Sequence, residues 1–249
     1  MRIICILLSL LSSAVFAAGD AKQAKHLDWH FDGAFGTFDK QAIQRGYQVY
    51  KEVCASCHSM ELMSYRNLVE AGFTPEEVKA IAAEATVMDG PDDAGDMFER
   101  KGRPSDRFVS PFENENAARA SNGGAYPPDL SLMIKARTNG ANYVYSLLTG
   151  YVDPPADMKI EAGQYYNSYF PGEKLAMASP LSDDLVEYSD GTKATVDQMS
   201  QDIVHFLQWA AEPEMEERKR MGIKVLIFMA LFTLLFYLAK KRVWARLDE

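Results

Sequence analysis

Hydrophobic and polar positions alternate along this chain in a few distinct rhythms. Over residues 39–58 apolar or small residues fall at Ile43, Gly46, Tyr47, Tyr50 and Cys54. That spacing predicts a helix with one buried face, and Asp39 can cap its start. Thr74-Pro75-Glu76-Glu77 is a second helix start, with Thr74 as cap, Pro75 in the first turn and Glu77 closing a capping box. That helix should run to about residue 85. Residues 141–149 and 196–211 repeat the helical period, the second through Ile203, Phe206, Leu207 and Ala210. Strand signals are poor, limited to stretches such as 185–188 before the turn Asp190-Gly191. Residues 102–128 and 152–180 are dominated by Pro, Gly and Asn and read as long ordered loops of the sort that wrap a cofactor.

Two continuous apolar runs bound this pattern. Residues 1–18 read as a cleaved secretory signal: Arg2 is the positive start, 3–15 the apolar stretch and Val15-Phe16-Ala17-Ala18 a small-residue cleavage site. Residues 221–239 carry a single charge, Lys224, near their start. At ~1.5 Å per residue they cover ~28 Å, about one hydrocarbon core. The run predicts one transmembrane anchor followed by a short tail, 240–249, whose Lys240, Lys241, Arg242 and Arg246 favour the cytoplasmic side. An exported domain over 19–220 and a cytoplasmic C-terminus follow.

Composition sharpens this. The formal charge of −9 becomes −10 once Arg2 leaves with the signal, which argues against nucleic acid and for a basic partner. The acids cluster: Glu84, Asp89, Asp92, Asp93, Asp96 and Glu99 share a stretch without one Lys or Arg, and Glu212, Glu214, Glu216 and Glu217 lie beside the anchor. A solvated loop is the ordinary explanation of such a run.

The chemistry concentrates in Cys54-Ala55-Ser56-Cys57-His58. C-x-x-C-H is the attachment signature of a c-type haem. Two thiols one helical turn apart reach the two porphyrin vinyl groups, and the adjacent imidazole lies under the iron. A redox dithiol would want a thioredoxin-like context, and zinc would want a second Cys or His pair. The one other cysteine, Cys5, leaves with the signal, so no structural disulfide is expected. For the opposite face of the iron His26, His30 and His205 are weak candidates, and Met60 and Met63 follow His58 too closely. Met133, Met158 and Met177 are distant enough. Met177 lies between Pro171 and Pro180 in a loop suited to holding a ligand, although spacing leaves a plain core methionine equally open.

Larger stretches then carry a resemblance. Arg45-Gly46-Tyr47-Gln48-Val49-Tyr50 leads into the pentad. Asp89-Gly90-Pro91, Asn122-Gly123-Gly124-Ala125-Tyr126-Pro127-Pro128-Asp129-Leu130-Ser131 and Tyr145-Ser146-Leu147-Leu148-Thr149-Gly150-Tyr151 follow. Tyr169-Phe170-Pro171-Gly172 and Trp209-Ala210-Ala211-Glu212-Pro213-Glu214 before Arg218-Lys219-Arg220-Met221-Gly222 complete the set. From about residue 37 to 246 the chain resembles the cytochrome c1 family, the haem subunits of the cytochrome bc1 (ubiquinol–cytochrome c reductase) complex.

That resemblance implies a mainly α fold: a class I cytochrome c-like haem domain with long loop insertions, plus one C-terminal transmembrane helix. It implies one covalently bound haem c on Cys54 and Cys57, with His58 and Met177 as iron ligands. Arg137 would sit by a haem propionate with Tyr143 beside it, and Asn122, Pro127 and Pro128 would line the haem edge. Gly46 and Tyr50 would pack on Phe206 and Trp209. Electrons would come from the Rieske iron–sulfur protein and leave to a soluble or tethered cytochrome c. The chain would then be an electron-transfer subunit with no substrate-converting site of its own. Cytochrome b would be a neighbour in a dimeric complex of the bacterial inner membrane, with the haem domain periplasmic. The acids of 84–99 become a docking surface for cytochrome c. Tyr126 stands where an aliphatic residue is expected and Ser168 where proline is frequent, which would loosen the Met177 loop.

Overall fold

The computed structural model describes residues 21–245. The expected signal over 1–18 and Arg246 in the tail lie outside the described residues. Helix α1, Lys40–Glu52, starts where expected: the Asp39 carboxylate accepts the amides of Gln41 and Ala42 at 3.0 and 3.1 Å. It stops at Glu52, before the expected position 58. Cys54–Ser56 form a 3-10 turn, and the amides of both Cys57 and His58 donate to the Cys54 carbonyl at 3.1 and 2.9 Å. Tightening to a three-residue repeat is a common way for a helix to end.

Helix α5, Val196–Ala211, begins at a Thr195 cap and crosses α1. Gly46 makes the crossing possible. A methyl group there would lie 2.0 Å from the Asp202 carbonyl oxygen and 2.7 Å from Phe206 Cβ. Around that contact Tyr47 and Tyr50 pack on Phe206 with ring centroids 5.7 and 5.6 Å apart, and Phe206 meets Trp209 at 5.8 Å. Arg45 forks onto the fully buried Asp202 at 3.0 and 2.9 Å and reaches Asp190 at 3.0 Å. The partners hold Arg45 protonated against burial, which by itself would lower its pKa.

Helix α2, Pro75–Glu84, has the anticipated reciprocal capping box between Thr74 and Glu77. Strands β1, Thr86–Asp89, and β2, Phe98–Lys101, then pair antiparallel, Thr86 opposite Lys101 and Asp89 opposite Phe98. The acidic run is therefore a hairpin rather than a plain loop. The strand expected at 185–188 does not form: Val186 and Tyr188 alternate inward because they anchor an irregular segment on the core. Residues 102–128 hide a short helix, α3, Glu115–Ser121, capped by Asn114. Helix α4, Gly140–Leu148, packs on α5. A two-residue ladder, β3 (Tyr165–Tyr166) with β4 (Lys174–Leu175), orders the second long loop.

The segment before α1 is a strap over α4 and α5. Asn142 Oδ1 accepts from the Leu27 amide at 3.1 Å and from Trp29 Nε1 at 2.8 Å. Trp29 and Phe31 sit edge-on to His205 at 5.6 and 5.2 Å. Helix α6, Met215–Trp244, starts six residues before the apolar run and roots itself in the domain through the buried Met215. Among the described residues it is the one helix long and apolar enough to cross a membrane.

Candidate functional site

The site begins at the end of α1. His58 Nδ1 lies 2.8 Å from the carbonyl oxygen of Pro128. A carbonyl only accepts, so Nδ1 carries the proton and Nε2 keeps its lone pair. Burial lowers the His58 pKa, while the Pro128 bond and the nearby Asp129 charge pull the other way. The net lowering keeps the ring a neutral imidazole at pH 7, the form that binds iron.

Asp129 clamps this arrangement. Its carboxylate accepts from Ser59 Oγ at 2.9 Å and from the amides of Glu61 and Ser131 at 2.7 and 2.8 Å. Leu130 also donates to the Ser59 carbonyl at 2.9 Å. Burial raises the Asp129 carboxyl, but the donors outweigh it and hold the pKa below the usual range. The loop carrying Pro127 and Pro128 is thereby laced to the residues after His58.

Cys54 and Cys57 are half-buried free thiols. Burial, with Cys57 adding to it, pushes the Cys54 thiol up to about 12, so it stays protonated at neutral pH. A cavity of about 230 Å³ opens beside Cys57 between Phe112, Tyr126 and Pro127. A larger one, about 420 Å³, lies between the strap, α4 and the start of α6, near Trp29, Asn142 and Arg218. It touches neither cysteine nor His58, so size does not mark the chemistry.

Met177 follows β4 and is half-buried. The Tyr151 hydroxyl donates to its carbonyl oxygen at 3.0 Å. Burial, with Tyr143 close by, pushes the Tyr151 phenol well up. Tyr143 is raised by its own burial and pulled partly back by the Arg137 guanidinium beside it. Arg137, Tyr143, Tyr151 and the Met177 backbone thus form a linked set. The loop is pinned again at the fully buried Asn167, whose Nδ2 donates to the Leu147 carbonyl at 2.7 Å and whose amide donates to Glu173 at 2.9 Å. Ser168 is itself buried in that corner.

The structure groups Cys54, Cys57, His58, Pro127 and Pro128 around the pentad and associates Arg137 and Tyr143 with the Met177 loop. Asn122 is used differently: its amide nitrogen donates to the Ala118 carbonyl at 2.7 Å and closes α3. Tyr126 lies under the Arg119 guanidinium, 5.5 Å from its ring centre. Sequence reading did not assign Tyr151, Asp129 or Asn167. Tyr151 and Asn167 reach backbone carbonyls 26 and 20 residues away, and a carbonyl leaves no mark in sequence. The donor set fits a haem: two uncommitted thiols, an imidazole with Nε2 unprotonated, and a thioether on a pinned loop.

The acids of 84–99 are not equivalent. Glu84 pairs with Lys51, and Asp89 with Arg100, which also grips Asp106. Arg100 holds Asp106 down to about 2. Asp92 accepts the amides of Ala94 and Asp96 at 2.9 and 3.0 Å and orders the hairpin tip. Among the described residues Asp93, Asp96 and Glu99 have no cationic partner within 4.0 Å and are exposed.

The family model described as Cytochrome C1 family matches residues 29–247. A mitochondrial protein of Arabidopsis thaliana named "Cytochrome c1 1, heme protein, mitochondrial" is 54% identical over 96% of this chain and 80% of its own length. "Cytochrome c1" of Rhodospirillum rubrum is 47% identical over 92% and 93%. The "Cytochrome b-c1 complex catalytic subunit, mitochondrial" of Candida albicans is 48% identical over 95% and 82%.

Proposed function

The chain belongs to the cytochrome c1 family, and on that premise we propose that it is the membrane-anchored electron carrier of a quinol–cytochrome c reductase. It passes single electrons from a Rieske iron–sulfur protein to a soluble or tethered cytochrome c. The observation that carries this is the His58–Pro128 hydrogen bond at 2.8 Å, which leaves Nε2 as a ready ligand at the end of C-x-x-C-H. One haem c is held through thioethers at Cys54 and Cys57, with His58 and Met177 on the iron. Haem held there would supply a one-electron couple, and the soft thioether would favour Fe(II).

The protein's part is positional. Pro128 fixes the imidazole plane, and Asp129 fixes Pro128. Tyr151 and Asn167 fix the loop of Met177. Arg137, beside Tyr143, would compensate the charge of a haem propionate. Asn122 stops α3 so that the chain turns through Gly123-Gly124 toward Pro127, and this loop would line the haem edge.

Export by a cleaved signal over 1–18 and a span at 221–239 would put the haem domain in the periplasm of a bacterium and the C-terminus in the cytoplasm. Cytochrome b is the neighbour of α6, and the complex is dimeric. The acidic hairpin steers a basic cytochrome c, chiefly through Asp93, Asp96 and Glu99, since Lys51 and Arg100 compensate Glu84 and Asp89.

Two experiments test the reading. Optical and paramagnetic spectra of the haem-loaded protein should be low spin. Met177→Leu should make it high spin and lower its potential on the order of 0.1–0.3 V, part of the ~0.8 V that axial ligation spans. A high-spin wild type that binds carbon monoxide overturns it. Reduction of a basic cytochrome c should slow with salt, less steeply in Asp93→Asn/Asp96→Asn/Glu99→Gln. A slope unchanged by the triple substitution removes the hairpin from docking.

A further inference from the structure

The turn at residues 32–36 is fastened to the start of α6. Lys219 Nζ donates to the carbonyls of Phe31 and Gly36 at 2.6 and 3.1 Å, and the Phe38 amide donates to Glu216 Oε1 at 2.8 Å. The turn is closed on itself by Asp32 to Trp29 and Thr37 to His30, both at 2.9 Å. Gly36 is obligatory, because a methyl group there would lie 2.1 Å from the Asp32 carbonyl oxygen. Gly33 takes a φ of +70°, open to glycine and strained for most residues.

At the tip of this rigid turn stands Phe35, 84% exposed. Scattered exposed apolar residues are ordinary, but this one exceeds every large hydrophobic residue of α6 itself, where Leu226 at 71% is the highest. Its height is also set. Lys219 and Glu216 precede Met221, where the apolar run begins, by two and five residues, ~3 and ~7.5 Å along the axis. The headgroup layer on each side of a bilayer is about 5–8 Å thick.

We propose that the 32–36 turn seats the Phe35 ring in the headgroup–acyl boundary of the outer leaflet. With α6 it would form a second membrane contact that sets the height and tilt of the haem domain. This rests on the reading of α6 as a membrane span. The chemistry is that of interfacial anchoring, in which an aromatic side chain sits at the level where headgroups meet acyl chains. The hydrogen bonds of Lys219 to two backbone carbonyls and of Glu216 to the Phe38 amide make the turn and the helix one body, so the contact resists rocking of the domain and not only its release.

The test places a nitroxide at Phe35→Cys in the full-length, haem-loaded chain in phosphatidylcholine nanodiscs, with Leu226→Cys and Asp93→Cys as references. Collision with oxygen relative to a water-soluble nickel complex should be several-fold higher at 35 than at 93, on the side of 226. A ratio at 35 equal to that at 93, with 226 still lipid-like, overturns the proposal. A water-like ratio at 226 overturns the span and the proposal with it. In the assembled complex the label at 35 should keep its oxygen preference. Shielding from both colliders there would mean that a subunit, not lipid, covers the turn, and would overturn it equally.

Discussion

The Tyr151 hydroxyl and the Met177 carbonyl oxygen lie 3.0 Å apart, joining the third residue after α4 to the loop beyond β4. Tyr151→Phe keeps the ring and deletes the bond. A lost buried hydrogen bond costs about 1 kcal/mol, or about fivefold in an equilibrium. On the proposed Met177 ligation, the haem-loaded variant should fold and stay low spin, but imidazole or cyanide should displace the thioether from the ferric iron about fivefold more readily. Unchanged ligand affinity would mean that Asn167 alone holds the loop.

Gly46 is the tightest point of the α1–α5 crossing. Gly46→Ala places its methyl group 2.0 Å from a carbonyl oxygen on a neighbouring helix, and backbone on both sides cannot rotate away. The expected cost is about 3 kcal/mol, the upper end for overpacking. Haem yield and the thermal midpoint should fall together. Gln41→Ala on the exposed side of the same helix serves as control and should fall by much less.

Arg45 and Asp202 form a fork in which Asp202 is fully buried. Arg45→Ala leaves that carboxylate without its cation, with Gln198 as the remaining side-chain donor. The loss should be about 3–5 kcal/mol by denaturant titration. Arg45→Met combined with Asp202→Leu removes both charges and should cost much less than the single change. Equal losses would show that the pair acts through packing rather than charge.

His205 lies under Trp29 and Phe31 with its Nδ1 buried and unpaired. Burial lowers its pKa; Asp39 and Asp202 oppose that, and His30 and Arg45 reinforce it. An unfolded histidine titrates near ~6.5. On acidification through that value the unfolded chain takes up a proton that the folded chain resists, so stability falls as pH drops. The thermal midpoint should decline between pH 7.5 and 5.5, and His205→Phe should flatten that decline. An unchanged slope in the variant would place the acid sensitivity elsewhere.

The pentad, the caps at Asp39 and Thr74, the period of α5 and the apolar run of α6 were all readable in the sequence, because each signal spans a few residues of one segment. Gly46 and the Phe206 contact were also anticipated, through resemblance. Tertiary structure decided the rest. The acidic run became a hairpin because Thr86 to Asp89 found partners at 98–101, and Lys51 and Arg100 reached two of its acids from outside the run. Helix α3 stayed hidden in a Gly- and Pro-rich stretch because seven residues give too little periodicity to see. Tyr151, Asn167 and Lys219 owe their roles to backbone carbonyls far along the chain. Every residue carries that same acceptor, so only the closed fold determines which one a given donor meets.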